Sequence, residues 1–148
     1  MTAAEANRLV LRNDLAELER LSRWLRRWAN ERALASGVSF AVALCLEQAV
    51  TNVIMSCEQV NDQVTDKVEI TVEIEHNAVT LVARVEDTGP QLDLGSSKVT
   101  SLDKTRIGDL GLRLMRSFAS GIEYERCDDR NRLTLRFLQS EPSSVMTA

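Results

Sequence analysis

The most constraining feature of this chain is a change of hydrophobic period near Lys67. Before that point apolar residues recur at helical spacing, whereas from residue 67 to 75 they occupy every second position. Alternation of this kind predicts a strand with one buried face and one wet face. After a turn at His76 and Asn77, the alternation resumes over residues 79–85. The two runs therefore predict an antiparallel hairpin.

Two helices are predicted ahead of this hairpin, after a short edge strand at residues 8–12. Asn13 is a suitable N-cap for the first helix. A leucine and tryptophan stripe at helical spacing gives that helix one apolar face: Leu15, Leu18, Leu21, Leu25 and Trp28. Gly37 is expected to end this helical region, and Ser39 to cap a second helix that runs to about Cys57.

The rest of the chain completes a layered fold. Residues 110–119 predict a third helix with Gly121 as its C-terminal stop, and two more alternating strands follow. Because hairpin connections argue against a doubly wound parallel sheet, we expect an α+β two-layer sandwich with helices on one face of a mostly antiparallel sheet. Residues 1–139 are expected to form a single domain and 140–148 a disordered tail. The polar stretch at 92–107 has the length of an active-site lid.

Composition excludes several classes of function. The net charge of −4 argues against a protein that binds nucleic acid by general phosphate attraction. No apolar run that spans a bilayer is expected, and no signal peptide, so a membrane location is not predicted. The three cysteines, Cys45, Cys57 and Cys127, are far apart, and the single histidine leaves no zinc-ligand spacing. Free thiols in a reducing cytoplasm are the simplest interpretation.

Three short segments carry the groups that a nucleotide pocket requires. Asp87 leaves a buried strand and offers a carboxylate to an exocyclic amine, while Gly89 lets base and backbone approach closely. Asn52, on the second helix, offers an amide oxygen, which is a hard ligand suited to magnesium. Gly108 and Gly111 flank the start of the third helix, where free N–H groups and the helix dipole favour phosphate.

In order and spacing, these segments resemble the nucleotide site of the anti-sigma-factor serine/threonine protein kinases, a branch of the GHKL or histidine kinase-like ATPases. Residues 45–52 resemble the N-box helix, 85–93 the adenine-binding box and 107–137 the C-terminal third, so the resemblance covers about residues 8–138. It implies the Bergerat ATP-binding fold with ATP and Mg²⁺ as cofactors. It also implies an anti-sigma regulatory factor that sequesters a sigma factor and phosphorylates a serine on an anti-sigma-factor antagonist of the STAS type. Family analogues pair through the sheet, so a homodimer is implied as well.

The resemblance also assigns residues by position. Asn52 matches the metal ligand, and the residues implied in cofactor binding are Asn52, Asp87, Gly89, Asp93, Gly108, Gly111 and Leu112. The family's general-base glutamate falls on Gln48, which cannot accept a proton. Glu47 is the neighbouring candidate for the base, although one residue along a helix turns a side chain by about 100 degrees. Asp109 stands where the phosphate-binding box has a glycine, and a carboxylate there would repel phosphate.

These residues are compatible with three functions. The first is an ATP-dependent serine kinase that is also an anti-sigma factor, favoured by the intact Asn52, Asp87, Gly89 and Gly111. The second is a catalytically weak or inactive binding module of the same fold that regulates by sequestering a sigma factor or antagonist, favoured by Gln48 and Asp109. The third takes residues 87–89 as half of a dimeric aspartic protease, and the helices on both sides of the motif argue against it.

Overall fold

Five strands and three helices make up the part of the chain that the structure describes. The structure is a computed structural model, and it describes residues 7–60, 68–89 and 107–139. In chain order the elements are β1 (Arg8–Arg12), α1 (Glu17–Glu31), α2 (Ser36–Val60), β2 (Glu69–His76), β3 (Thr80–Asp87), α3 (Ile107–Phe118), β4 (Gly121–Cys127) and β5 (Arg130–Leu138). The predicted lid and the predicted tail lie outside the described residues, except that Ile107 begins α3.

The strands form one antiparallel sheet in the order β1-β2-β3-β5-β4. The predicted hairpin is β2–β3, and the Asn77 side chain closes its turn by accepting the backbone N–H groups of Val79 and Thr80. The chain passes from β3 through α3 to β4 at the sheet edge, and β5 then returns to pair with β3. This pairing places Asn131 directly opposite Asp87.

All three helices pack on one face of the sheet. The inward-facing strand residues belong to one buried cluster, whose strand members include Leu9, Leu11, Ile70, Val72, Ile74, Leu81, Ala83, Val85, Leu133, Leu135 and Phe137. The same cluster contains helix residues, among them Leu21, Leu25 and Trp28 of α1, Leu46, Val50 and Ile54 of α2, and Met115 of α3. The predicted α+β two-layer sandwich is therefore confirmed.

The opposite face of the sheet carries a ladder of arginine–carboxylate pairs. The Arg132 guanidinium lies 2.8 Å from Glu86 on β3 and 3.5 Å from Glu125 on β4. Arg8 and Glu73 join β1 to β2 at 3.7 Å. Because these side chains are largely open to solvent, each pair contributes at most about 1 kcal/mol. The charges keep this face hydrated, and the core on the other face supplies most of the stability.

The predicted N-cap of α1 is wrong. The Asn13 side-chain oxygen accepts the backbone N–H of Val68 at 3.3 Å instead of a helix N–H. α1 begins after Ala16, which makes no side-chain cap bond. The Glu17 carboxylate accepts the backbone N–H of Arg12 at 2.9 Å and so fixes the strand-to-helix turn. Asn13 thus ties the end of β1 to the start of β2, a long-range bond that local spacing does not reveal.

The predicted roles of three glycine and serine residues are also wrong. Gly37 and Ser39 lie inside the first turn of α2, so neither separates the two helices. Gly121 is the first residue of β4 and not a helix stop. α3 ends at Phe118, and the backbone N–H of Ser120 then donates to the carbonyl of Arg136 at 2.7 Å. Pairing with β5, and not a left-handed glycine, therefore ends α3.

α1 ends in a Schellman cap that is built on alanine. Ala33 has a φ of 51°, in the left-handed region. The backbone N–H of Leu34 donates to the carbonyl of Ala29 at 3.0 Å, and that of Ala33 to Asn30 at 3.1 Å. Glycine is the usual residue at this position because it has no Cβ. The sequence therefore lacks the glycine that would have marked the end of α1.

Among the residues that the structure describes, one helix is long and apolar enough to cross a membrane, which corrects the expectation that the chain has no such run. The segment is Ser36–Cys57 of α2, and half of it is buried inside the protein. Its buried side chains pack against the sheet and the other two helices. The high hydropathy of α2 is accounted for by its position as the central core helix.

Exchanging alanine and glycine at positions 33 and 37 should stabilise the protein. Ala33→Gly relieves a left-handed backbone at an exposed residue, and Gly37→Ala improves helix propensity where an added methyl meets nothing within 4 Å. We expect each change to raise the free energy of unfolding by about 0.5–1 kcal/mol. Urea denaturation of both single variants and the double variant measures this. The double variant has the composition of the wild type, and a loss of stability in Ala33→Gly would contradict the cap.

Candidate functional site

The first residue of the candidate site is Asp87, a carboxylate at a strand position where the alternation predicts an apolar side chain. Leu81, Ala83 and Val85 occupy the inward positions of β3, and the same alternation brings Asp87 onto the inner face with 2% of its surface exposed. Its Oδ1 accepts the backbone N–H of Gly89 at 2.8 Å and the side-chain N–H of Asn131 at 2.9 Å. A buried carboxylate needs such donors, because ionised groups are costly to remove from water.

The charge state of Asp87 is set by opposing effects. Burial raises the pKa of Asp87 above its usual value. The hydrogen bonds from Asn131 and Gly89 and the positive charge of Arg126 lower the pKa, while the neighbouring Glu86 raises it further. Burial is the largest of these effects, so the net shift is upward.

Three residues of the β4–β5 hairpin form a hydrogen-bonded network that reaches this carboxylate, and none of them was predicted as a site residue. Asn131 is 1% exposed, and its Oδ1 accepts the Tyr124 hydroxyl at 2.6 Å and the Arg126 guanidinium at 3.1 Å. The same Arg126 nitrogen donates to the carbonyl oxygen of Gly89 at 2.9 Å. One signal was available: Asn131 is a polar residue at the first inward position of an otherwise apolar strand face.

Gly89 is packed so closely by its neighbours that a side chain would have little room. A Cβ at this position would lie 3.1 Å from the Asp87 carboxylate and 3.4 Å from both the Cys57 sulfur and the Val68 side chain. The turn after β3 is therefore packed against the end of α2. Glycine permits this close packing, and the predicted approach of a base to Gly89 stays a prediction.

A second group of polar side chains lies where α2 meets α3. A Cβ on Gly111 would be 2.8 Å from the Gln48 Oε1 and 3.3 Å from the Asn52 Nδ2. Asn52 is 7% exposed, and its Nδ2 is a buried atom without a hydrogen-bond partner among the described residues. Leaving a buried amide unsatisfied costs about 1–3 kcal/mol, so this N–H group is available to a ligand. The amide suits both parts of a metal–phosphate group, since its oxygen can bind a hard cation and its N–H an anion.

Glu47 lies in a different environment from Gln48. Burial raises the pKa of Glu47, and Arg26 on α1 lowers it. Arg26 is thus the charge that acts on this carboxylate, whereas Gln48 and Asn52 adjoin α3. The other residues implied by the resemblance are placed as follows: Leu112 is buried on α3, Gly108 lies in the first turn of α3, and Asp93 lies outside the described residues.

The sequence is similar to one family of ATPase domains and to one of its kinases. The family described as the histidine kinase-like ATPase domain matches residues 11–137. Among curated proteins, the chain is 28% identical over 116 residues to the serine/threonine-protein kinase BtrW of Bordetella bronchiseptica. The aligned part covers 76% of this chain and 79% of BtrW.

Solved histidine kinases have a similar fold. The histidine kinase domain of the Erythrobacter litoralis EL346 blue-light activated kinase matches 90% of this chain and 64% of its own, with a TM-score of 0.56 at 12% identity. The catalytic domain of histidine kinase ThkA matches 90% of this chain and 99% of its own, with a TM-score of 0.50 at 12% identity. Acinetobacter baumannii AdeS matches 70% of this chain and 48% of its own, with the same score and identity. The chain thus spans about half to two thirds of two of these structures, and at such low identity the likeness establishes the fold alone.

Asp87 should give the protein a measurable dependence of stability on pH. Because the pKa is raised in the folded protein, the folded state holds this proton to higher pH than the unfolded chain does. The carboxyl therefore favours folding at low pH, and that contribution is lost as pH rises through the raised pKa. Asn at this position has no such proton, so the free energy of unfolding of Asp87→Asn should rise relative to the wild type over that range. Urea denaturation at a series of pH values measures the difference, and a constant difference would contradict the shift.

Proposed function

This chain belongs to the histidine kinase-like ATPase family, and we propose that it is an anti-sigma regulatory factor whose kinase-like domain binds ATP with Mg²⁺. The observation that carries the proposal is the buried Asp87 at the exit of β3, whose Oδ1 is held by Gly89 and Asn131. On this proposal the carboxylate would accept a hydrogen bond from the exocyclic amine of adenine. The burial of this carboxylate at the end of a strand, beside a glycine whose Cβ would lie 3.1 Å from it, supports a role in binding.

The remaining residues of the site would hold the phosphates and the metal. Asn52 would bind Mg²⁺ through its side-chain oxygen, and its unpartnered Nδ2 supports a ligand at this place. Gly108 and Gly111 at the start of α3 would offer backbone N–H groups to phosphate oxygens. Leu112 and Asp93 complete the proposed nucleotide residues. Bound ATP would supply the phosphoryl group, and Mg²⁺ would neutralise part of its charge.

The proposed substrate is a serine on an anti-sigma-factor antagonist of the STAS type. The similarity to a protein named as a serine/threonine-protein kinase supports transfer to a hydroxyl of a protein. Sequestration of a sigma factor is the second proposed activity, and it would place the protein in the cytoplasm beside the transcription machinery. Within this proposal residues 1–139 act as a single domain, and a homodimer through the sheet is the proposed assembly.

A second candidate function is a binding module of the same fold that has little or no kinase activity. The observation that favours it is Gln48, whose side-chain oxygen adjoins Gly111 at the place of the family's general base. An amide cannot accept the proton of an attacking serine. Glu47, the alternative base, is half-buried and under the influence of Arg26 on α1. On this second proposal the protein regulates by sequestration alone.

Binding of ATP should depend on Asp87. In Asp87→Asn the amide oxygen can still accept from Gly89 and Asn131, which leaves an N–H group facing the adenine amine. We expect the variant to lose about 1–3 kcal/mol of binding free energy for ATP, the cost of an unsatisfied buried partner. Isothermal titration with ATP and magnesium measures it. Asp14→Asn makes the same chemical change at an exposed residue and should bind as the wild type does, whereas a wild type without ATP binding would refute the proposal.

Phosphotransfer should respond to position 48. Gln48→Glu places a carboxylate beside Gly111 and should raise the rate of serine phosphorylation, because general-base help is typically worth about 10²–10⁴ in rate. Transfer of labelled phosphate from ATP to a STAS-type antagonist measures the rate. Adding Asp109→Gly tests whether that carboxylate limits the gain.

Glu47→Gln is the matched control for this experiment. The change removes a carboxylate one residue away and should leave the rate of the wild type unaltered. If the wild type phosphorylates its partner rapidly and Glu47→Gln abolishes the reaction, Glu47 is the base and the binding-module proposal falls.

A further inference from the structure

The orientation of the Asn131 amide is fixed by groups that can act in only one way. Arg126 has no acceptor, so the Asn131 atom 3.1 Å from its guanidinium must be the oxygen. The carbonyl of Gly89 has no donor, and it lies 3.3 Å from the Asn131 nitrogen. The Tyr124 hydroxyl, 2.6 Å from the Asn131 oxygen, can donate or accept and so adds strength without fixing the direction.

This orientation determines what Asp87 can offer to a ligand. Because the Asn131 oxygen faces Arg126, the Asn131 nitrogen faces Asp87 and donates to its Oδ1 at 2.9 Å. The backbone N–H of Gly89 donates to the same oxygen at 2.8 Å. Both donors, together with the charge of Arg126, favour the ionised carboxylate, and its second oxygen is the one left to accept from a base.

We propose that Arg126 is a positioning residue of the adenine site, which acts through Asn131 to hold Asp87 as an acceptor and through the Gly89 carbonyl to hold the turn that follows it. Arg126 lies on β4, at the sheet edge, and part of its side chain is exposed to solvent. The base preference of the site is thus set partly from outside the pocket. The inference rests on the proposed binding of ATP. It assigns to Arg126 the preference of the site for a purine with an amine, as in adenine, over one with a carbonyl.

A comparison of ATP with inosine triphosphate separates this role from a structural one. Inosine has a carbonyl where adenine has its amine, so at that position it offers no donor to an acceptor at Asp87. Arg126→Met should weaken ATP binding about tenfold, as expected for a lost charged hydrogen bond, while inosine triphosphate binding changes much less. Arg126→Lys keeps the positive donor and should restore most of the preference for ATP. Isothermal titration with both nucleotides, with magnesium, gives all of these values.

Asn131→Asp tests the orientation itself, because the shape is kept and the amide donor is removed. Two carboxylates at this distance share one proton, so the pKa of the pair is raised. Below the raised pKa the shared proton replaces the amide N–H, and above it both groups are ionised and repel. Arg126 on β4 and Glu86 on β3 are the charges that act on Asp87, and the Cys57 thiol of α2 lies beside Gly89. The ATP affinity of Asn131→Asp, relative to the wild type at each pH, should therefore fall as pH rises.

The outcomes distinguish this inference from the proposed function. If the wild type binds neither nucleotide, the proposed function fails and the role of Arg126 at the base fails with it. If the wild type prefers ATP and Arg126→Met weakens both nucleotides equally, or neither, the proposed function stands and the positioning role is wrong. On an Asn131→Ala background, Arg126→Met should narrow the preference for ATP by less than it does in the wild type, and an equal narrowing would show that Arg126 does not act through Asn131.

Discussion

The burial of Asp87 constrains how the strands are arranged at the end of the sheet that carries the candidate site. A carboxylate that is 2% exposed requires donors in fixed places, and β5 supplies one only when Asn131 stands opposite it. A shift of that register by one residue would bring Arg130 or Arg132 to the inner face and turn the apolar residues of β5 outward. The core and the site therefore specify the same register. The Arg126 bonds to Asn131 and Gly89 then join β4 and the turn after β3 to this pair.

Much of the fold follows from periodicity, because burial on one face leaves a direct trace in the sequence. The alternation on both sides of His76 gave the β2–β3 hairpin and its inward residues, and the predicted kinship with the histidine kinase-like ATPases is confirmed. The ends of the helices could not be predicted, because long-range bonds decide them. Asn13 bonds to the start of β2, and Ala33 takes a left-handed conformation that sequence usually announces with glycine.

The site was predictable where its chemistry is local and not where it depends on pairing between strands. Asp87, Gly89, Asn52 and Gly111 stand in motifs with defined spacing, so a resemblance to known sites can name them. Their assigned roles remain proposals. Asn131 and Arg126 lie on a hairpin far along the chain, and their role appears only when β5 is set beside β3. The local sign of such a partner is a polar residue at the start of an apolar strand face, here Asn131. This sign does not reveal that Asn131 bonds to Asp87.

Gln48 separates the two demands that a nucleotide-dependent kinase must meet. Binding an anion between α2 and α3 favours amides over carboxylates, because a negative charge beside phosphate is repulsive. Transfer to a serine favours a carboxylate at the same place, because an amide takes no proton. Gln48 and Asn52 lie one helical turn apart beside Gly111, and two amides at this place would favour the binding of an anion. On the binding-module proposal, phosphotransfer is not required, so an amide at position 48 carries no functional cost.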